Sequence, residues 1–382
     1  MPATQCELKM KTLEGDDLTV KVAPTTKIKK LKAMLHEQKQ CEDPIEHKLL
    51  KVKVLADGLL VDDDKTVESA GLLNAEVEVT VIYSRNEVEA ATKKEINAEG
   101  VLQVNIPCSL TEIPAGAFEH YKKVVKVAIP ESVTAIGDRA FKNCASLTSI
   151  TIPESVTVMG GSAFRGCRSL ASITIPQSVT AIGVGAFEGC ESLESITIPQ
   201  SVRAIGDGAF MGCKSLTSIT IPESVTAIPG SAFLECRSLK SITIPESVTA
   251  IGVGAFHTCE SLTSITIPES VTVMGASAFQ GCKSLASITI PQSVTAIGES
   301  AFEECKSLAI ITIPKSVTDI GDLAFAYCES LASIAIPESV TAIGKGAFRE
   351  CKSLESITIP ESVTYVGDGA FEGCSFGTTD NP

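Results

Sequence analysis

The chain of 382 residues contains no tryptophan, and aromatic residues make up only 4% of it. Its four histidines, His36, His47, His120 and His257, are scattered without the spacing of a metal or catalytic motif. The GxSxG, Walker and HExxH patterns are also absent, which argues against serine hydrolases, P-loop nucleotidases and zinc proteases. We therefore predict no catalytic, cofactor-binding or metal-binding residue, no cofactor and no enzymatic activity.

Long apolar segments are missing as well. No run approaches the 18 residues of a membrane-spanning helix, and the first twenty residues lack the apolar core of a signal peptide. The formal net charge is −14, which disfavours the phosphates of nucleic acid and anionic membranes as partners. The sequence therefore predicts a cytoplasmic protein that binds neither nucleic acid nor membrane.

The dominant feature of the chain is an internal repeat. The copy at residues 236–258 reads CRSLKSITIPESVTAIGVGAFHT, and the pattern continues in register over residues 101–374. Phenylalanine recurs every 23 residues, twelve times in all. These positions are Phe118, Phe141, Phe164, Phe187, Phe210, Phe233, Phe256, Phe279, Phe302, Phe325, Phe348 and Phe371. A fixed period of this length is the signature of a solenoid of stacked coils.

One copy already predicts the local geometry. Ile242 and Ile244 lie two residues apart, so a short strand places both on one face and Ser241 and Thr243 on the other. Pro245 ends the strand, because proline cannot donate to a hydrogen-bond ladder. A single unit buries too little apolar surface to fold alone, so each copy must stack on its neighbours.

Cysteine also follows the repeat, with eleven of the 14 cysteines at its period from Cys144 to Cys374. In neighbouring coils the Cβ atoms of such a file point in parallel and do not converge as a disulfide requires. A single file of thiols also cannot surround a tetrahedral metal ion. We expect buried free thiols that pack as small apolar groups.

These residues resemble the BspA-like class of leucine-rich repeats, whose pattern is close to C-x-S-L-x-x-I-x-I-P-x-S-V-x-x-I-G-x-x-A-F. The resemblance covers residues 101–374 and implies a parallel β-rich leucine-rich-repeat solenoid of about twelve 23-residue coils. It also implies a role in binding proteins, and several relatives are cell-surface adhesins.

The first 85 residues form a different unit. Residues 7–22 alternate apolar and polar around a turn at Gly15, which predicts a β-hairpin. Ile28, Leu31 and Leu35 recur at helical spacing. The segments KTLEG, IKKLKAML and DKTVESAGL resemble ubiquitin, which implies an α+β ubiquitin-like (β-grasp) domain over residues 1–85.

The segment between the two predicted domains is expected to cover the first coil. We predict a linker and N-terminal cap over residues 86–100, formed by a short helix whose Val88, Ala91 and Ile96 contact the solenoid, or by the ubiquitin-like unit itself. The solenoid then extends over residues 101–374, and residues 375–382 form a C-terminal tail.

Candidate partner-binding residues lie at the outward strand positions and at two apolar positions of the ubiquitin-like unit. They are Ser218, Thr220, Ser241, Thr243, Ser264, Thr266, Ser287, Thr289, Ile310, Leu13 and Leu50. Ile310 and Ala335 interrupt the Ser and Thr rows and predict a local apolar patch. The alternative is that Ser and Thr merely suit exposed strands.

The preferred interpretation is a non-enzymatic, monomeric scaffold inside the cell. Its solenoid would bind a protein partner, and its ubiquitin-like unit would recruit other factors. Two alternatives stay open. One is a cell-surface adhesin of the BspA-like type, and the other is an ice-binding array of Ser and Thr.

Overall fold

The structure, a computed structural model, describes residues 6–12, 17–22, 52–56, 59–60, 77–81, 93–96, 102–106 and 110–375. The chain divides into two compact units, Met1–Lys93 and Lys94–Pro382. The expected limits at residues 85 and 101 stay a prediction.

Five strands form the sheet of the N-terminal unit. They are β1 (Cys6–Thr12), β2 (Asp17–Val22), β3 (Val52–Ala56), β4 (Leu59–Leu60) and β5 (Val77–Val81). Their order in the sheet is β2-β1-β5-β3-β4. Strand β1 pairs antiparallel with β2 and parallel with β5, and β3 pairs antiparallel with β4 and β5. The predicted hairpin is confirmed, while the predicted helix at residues 28–35 lies outside the described residues.

The second unit contains many short strands. In chain order they are β6 (Lys93–Ile96), β7 (Leu102–Asn105), β8 (Glu112–Ile113), β9 (Val124–Ala128), β10 (Ala135–Ile136), β11 (Ser149–Thr151), β12 (Val158–Met159), β13 (Ser172–Thr174), β14 (Ala181–Ile182), β15 (Ser195–Thr197), β16 (Ala204–Ile205), β17 (Ser218–Thr220), β18 (Ala227–Ile228), β19 (Ser241–Thr243), β20 (Ala250–Ile251), β21 (Val273–Met274), β22 (Ser287–Thr289), β23 (Ala296–Ile297), β24 (Ile310–Thr312), β25 (Asp319–Ile320), β26 (Ala342–Ile343) and β27 (Tyr365–Val366).

These strands lie in two parallel ladders, each divided into short sheets in which neighbouring coils pair. In the first ladder, strands of sequence Ser-Ile-Thr pair in register, as Ser218 with Ser241. In the second, strands of sequence Ala-Ile do the same, as Ala227 with Ala250. Each pair joins residues 23 positions apart, so the repeat is one turn of a parallel β-solenoid. The second ladder was not predicted, because a two-residue strand is too short to show alternation.

The core consists of one apolar layer per coil. In the coil of residues 236–258 every predicted inward residue is buried, and Phe256 is fully enclosed. Neighbouring phenylalanine rings stack almost parallel, with centroids 5.2–5.7 Å apart and interplanar angles of 1–11°. Phenylalanines 118 to 348 of the repeat are fully buried, and Phe371 in the last copy is half-buried.

Polar groups also join each coil to the previous one. The hydroxyl of Ser247 donates to the carbonyl oxygen of Val225 at 2.7 Å, and the thiol of Cys259 donates to the carbonyl oxygen of Phe233 at 3.2 Å. Equivalent bonds recur along the array. The Ser hydroxyl satisfies a carbonyl oxygen outside the two ladders, and the thiol adds a second donor to the carbonyl of Phe233, which already accepts from the N–H of Cys236.

The segment before the first coil differs from its prediction. Residues Lys93–Ile96 form strand β6, which lies next to β7 at the end of the sheet ordered β11-β9-β7-β6. The expectation of a short helix that includes Ile96 is therefore wrong. A strand beside β7 can satisfy backbone groups at a free sheet edge, which a helix would leave unpaired. Val88 and Ala91 lie outside the described residues.

Candidate functional site

The first ladder presents its hydroxyl side chains to solvent. In strands such as β17 and β19 the middle isoleucine is buried and the flanking Ser and Thr are exposed, as period-two alternation requires. We call the exposed residues of this ladder the Ser–Thr face. The predicted residues Ser218, Thr220, Ser241, Thr243, Ser264, Thr266, Ser287, Thr289 and Ile310 are all exposed.

Backbone pairing brings these residues into continuous rows. Thr220 pairs with Thr243, and Thr243 pairs with Thr266. Thr266 pairs in turn with Thr289, which pairs with Thr312 in the next coil. Ser264 lies outside a regular strand, but Thr266 beside it keeps the row in register. Successive rows are therefore roughly 4.8 Å apart, the spacing of neighbouring strands.

The hydroxyls of the Ser–Thr face are chemically available. Within residues 110–375 the hydroxyl groups of Ser241 and Thr243 have no protein hydrogen-bond partner, although the backbones of both residues pair in the ladder. By contrast, the hydroxyls of Ser247 and Thr249 in the same coil donate to carbonyl oxygens of the preceding coil. The same two residue types therefore hold coils together on one side of the repeat and remain free for water or a ligand on the other.

One part of the Ser–Thr face is apolar. Ile310 replaces the usual Ser, pairs with Ser287 and is 69% exposed. Ala309 next to it is exposed and donates its backbone N–H to the carbonyl oxygen of Ala286, which is exposed too. Ala332 and Ala335 in the following coil are also exposed. We call these five residues the Ile310 patch; they form a cluster of apolar side chains among hydroxyls.

Charged residues border the Ser–Thr face after each proline. Most are Glu, and some of these carboxylates bind the next coil: Glu154 accepts from the backbone N–H of Gln177 at 3.0 Å, and Glu269 from that of Gln292 at 3.1 Å. Lys315, two residues beyond Ile313, is the one cation in this row. The charged residues of this border are therefore all acidic except Lys315 beside the Ile310 patch, and Gln177, Gln200 and Gln292 are neutral.

The eleven cysteines of the repeat occupy inward positions of the solenoid, as predicted. Ten of them, from Cys144 to Cys351, are buried, and Cys374 is half-buried. Burial raises the pKa of Cys236 to about 12, although a hydrogen bond from the backbone of Cys213 in the preceding coil acts in the opposite direction. At neutral pH Cys236 is a thiol, which is a poor nucleophile and a poor metal ligand. The described residues contain no cluster of His, Cys, Asp and Glu able to hold a metal ion.

Leu13 and Leu50, the two candidate residues of the N-terminal unit, lie outside the described residues. The other nine candidates, all in the solenoid, lie together on the Ser–Thr face. Sequence reasoning identified Ala335 but missed Ala286, Ala309 and Ala332, although their position two residues before the buried Ile of each strand was visible in the repeat.

The repeat geometry agrees with known protein families. Residues 97–214, 157–286 and 274–381 match the BspA type leucine-rich repeat region. The chain belongs to the BspA-type leucine-rich repeat family. Residues 6–81 match the ubiquitin-2-like Rad60 SUMO-like domain, which confirms the predicted ubiquitin-like unit. Members of leucine-rich-repeat and ubiquitin-like families are typically non-enzymatic.

The same architecture is found in a solved structure. A leucine-rich repeat protein from Bacteroides ovatus ATCC 8483 is 31% identical, with a TM-score of 0.51 over 74% of this chain and 91% of that one. A leucine-rich cell surface protein from Faecalibacterium prausnitzii A2-165 is 30% identical, with a TM-score of 0.44 over 74% and 91%. No curated protein matches the chain. Among the described residues, no helix has the length and apolar character needed to cross a membrane.

Proposed function

We propose that this protein is a non-enzymatic scaffold whose Ser–Thr face binds a protein partner. The observation that carries the proposal is the contrast between hydroxyls: those of Ser241 and Thr243 are exposed and unbonded, while those of Ser247 and Thr249 bind the neighbouring coil. A regular surface of small polar side chains can exchange its water for a partner's backbone groups without breaking internal hydrogen bonds.

The Ile310 patch is the proposed anchor of this surface. Protein interfaces combine a central apolar contact with a polar rim, and a few residues carry most of the binding free energy. Ile310 has the exposed apolar surface and the surrounding Ser and Thr that such a centre requires. Lys315 at the border supplies a positive charge in a row whose other charged members are all Glu, which favours a partner with a carboxylate beside its apolar contact.

A photo-crosslinking amino acid at Thr243 of the full chain tests the proposal in cell extract. The matched control carries the same amino acid at Thr249, which is also exposed but lies on the other ladder. We expect a defined set of foreign proteins to crosslink from Thr243 and not from Thr249. The same proteins at equal yield from both positions would contradict a role for the Ser–Thr face.

The anchor is tested by Ile310→Asp in the chain with the crosslinker at Thr243. We expect about a tenfold lower yield of the crosslinked partner, because a charge replaces the apolar contact at the centre of the interface. Val184→Asp is the control, since Val184 is 61% exposed and lies outside the Ser–Thr face. Unchanged crosslinking in the Ile310 variant would place the anchor elsewhere.

The N-terminal unit would recruit further proteins through Leu13 and Leu50. Replacing both by Asp should remove proteins captured through that unit and leave the Thr243 crosslinks unchanged. Loss of both sets would instead indicate that the variant had unfolded.

We place the scaffold in the cytoplasm. The eleven cysteines within residues 110–375 carry free thiols, which favours a reducing compartment. Adhesion at the cell surface is the competing proposal for a member of this family. Labelling of intact cells with a membrane-impermeant amine reagent should leave the protein unmodified, and lysis should expose it to the reagent. Labelling before lysis would support the adhesin.

A further inference from the structure

The second ladder has an outward surface of its own, which we call the Thr–Ala face. It consists of the first residue of each two-residue strand together with the residue before it, usually Thr. From the second coil onward the strand positions are Ala135, Val158, Ala181, Ala204, Ala227, Ala250, Val273, Ala296, Asp319, Ala342 and Tyr365. Most are exposed and the rest half-buried, so the face is a long, nearly uncharged sheet surface on a chain of net charge −14.

Two opposite charges interrupt this surface between Ala135 and Tyr365. Arg203 takes the place of a Thr, Asp319 takes the place of an Ala, and both are exposed. They lie five coils apart, roughly 24 Å at the spacing of stacked strands, so they cannot pair within one chain. Neither forms an ion pair within residues 110–375; Asp319 accepts a hydrogen bond from the hydroxyl of Thr318 at 2.6 Å.

The midpoint between the two charges is apolar. It falls between the coils that contain Ala250 and Val273, which pair with each other in the ladder. Val273 on the face and Val253 at its border are 56% and 61% exposed. An apolar centre with one charge of each sign at equal distances on either side is the pattern of a surface complementary to itself.

We propose that two copies of this chain pack their Thr–Ala faces together around a two-fold axis. The axis runs along the strands and passes between the coils of Ala250 and Val273, so that the coil orders of the two copies oppose each other. A two-fold contact repeats every interaction, so Arg203 of each copy meets Asp319 of the other. The same operation sets Val273 opposite Ala250 and Val158 opposite Tyr365.

The residues that follow each proline form a row with five opposed positions in this arrangement. At three of the five, the two copies bring together residues that do not repel each other. The axis brings the two rows to the same side, with Gln200 opposite Lys315. It also sets Gln177 opposite Glu338 and Gln292 opposite Glu223. Two Glu–Glu pairs remain, Glu154 with Glu361 and Glu246 with Glu269. The interruptions of the acidic row therefore fall where they relieve repulsion between two copies.

Small side chains favour such a contact. Sheets pack face to face about 10 Å apart, and Ala and Thr allow that approach over many coils. Alanine loses no side-chain entropy on burial. The charge pairs then select one register among the many that a uniform surface would permit. This proposal replaces the expectation of a monomer and does not depend on a partner at the Ser–Thr face.

Sedimentation velocity of the full chain tests the proposal through charge reversal. We expect a dimer for the natural chain, and at least about a tenfold weaker dissociation constant for Arg203→Asp and for Asp319→Arg. The double variant should regain the natural affinity within about twofold. Lys240→Glu, a charge reversal at an exposed position on the first ladder, is the control and should leave the dimer unchanged.

The Asp319→Arg variant separates specific pairing from general repulsion. It makes an acidic protein less acidic, so relief of overall repulsion would strengthen self-association, whereas loss of the pair weakens it. Three results would each overturn the proposal. The natural chain could stay monomeric at about 100 µM, a single charge reversal could leave the dissociation constant unchanged, or the double variant could fail to regain the natural dissociation constant. Circular dichroism of all variants identifies any loss of affinity caused by unfolding.

Discussion

The phenylalanine of each repeat fills one layer of the solenoid core. Phe256 lies between Phe233 and Phe279, with ring centroids 5.5 and 5.3 Å away, and it is fully buried. Its neighbours on both sides are phenylalanines whose rings lie nearly parallel to its own. A cavity left by the loss of this ring therefore cannot be filled by the movement of one neighbouring side chain. The outward Thr243 in the same coil also pairs with threonines on both sides, but its side chain is exposed and fills no enclosed layer.

Phe256→Ala should therefore destabilise the protein by about 3–5 kcal/mol, because it opens a cavity between two fixed layers. Thr243→Ala should change the free energy of unfolding by less than about 0.5 kcal/mol. Urea unfolding followed by circular dichroism measures both. Equal destabilisation by the two variants would mean that the inward and outward assignments are reversed.

The buried thiols should make stability depend on pH. Burial is the largest cause that raises the pKa of Cys190, Cys236 and Cys282 to about 12. A raised pKa in the folded state means that folding favours the protonated thiol. The stabilisation is complete below the unfolded pKa of about 9 and is lost as the pH rises towards 12.

We therefore expect the free energy of unfolding to be constant from about pH 7 to 8.5 and to fall progressively between about pH 9 and 12. Urea unfolding at a series of pH values measures the slope. Replacement of the three cysteines by Ala should make the slope shallower. An unchanged slope in that variant would assign the pH dependence to other groups.

At the scale of the element, each coil turns sharply after its second strand, and some glycines there allow the coils to approach. A Cβ added at Gly275 would lie 2.5 Å from the backbone nitrogen of Val253 in the preceding coil. Gly230 belongs to the same part of the repeat, but its added Cβ would meet its nearest neighbour, the carbonyl oxygen of Val253, at 3.5 Å. Only the first position requires the absence of a side chain.

Gly275→Ala should cost about 1–3 kcal/mol, because backbone atoms of two coils must move apart. Gly230→Ala provides the matched control and should change stability by no more than about 0.5 kcal/mol. Thermal unfolding of both variants tests the pair. A destabilisation of similar size at Gly230 would show that backbone freedom, and not close approach, determines the effect.

At the scale of the whole solenoid, the paired strands, stacked rings and hydroxyl bonds of a coil connect it to its immediate neighbours. Stability is then the sum of terms for single coils and for contacts between adjacent coils. The near-identity of the copies means that a coil can be removed without creating a new kind of contact.

Deletion of residues 236–258 joins Glu235 to Cys259 and preserves the period. We expect the variant to fold with its strand pairing intact, and to need a lower urea concentration for unfolding because one coil and one contact are lost. Deletion of residues 236–247, about half a coil, is the control and should abolish cooperative unfolding. Loss of folding in both variants would contradict a nearest-neighbour solenoid.

The sequence predicted the first ladder, the core residues and the Ser–Thr face because one strand of Ser-Ile-Thr shows its alternation locally. It did not predict the second ladder, whose strands are two residues long. It also predicted a helix where β6 lies, since the pairing of β6 beside β7 involves a sheet edge that local propensity does not reveal. Ile310 and Ala335 were identified as breaks in the pattern, but the grouping of Ala286, Ala309 and Ala332 around Ile310 required the coil-to-coil register.

The period of 23 residues and the chemistry of one copy determined the inward and outward side chains throughout the array, because every coil meets the same environment above and below. The tertiary structure alone decided which hydroxyls are free and which bind the next coil, since that depends on carbonyl positions one turn away. It also decided that Arg203 and Asp319 share one face on either side of two exposed valines. Residues so far apart in the chain lie on one surface only because the stacking of the coils sets their register.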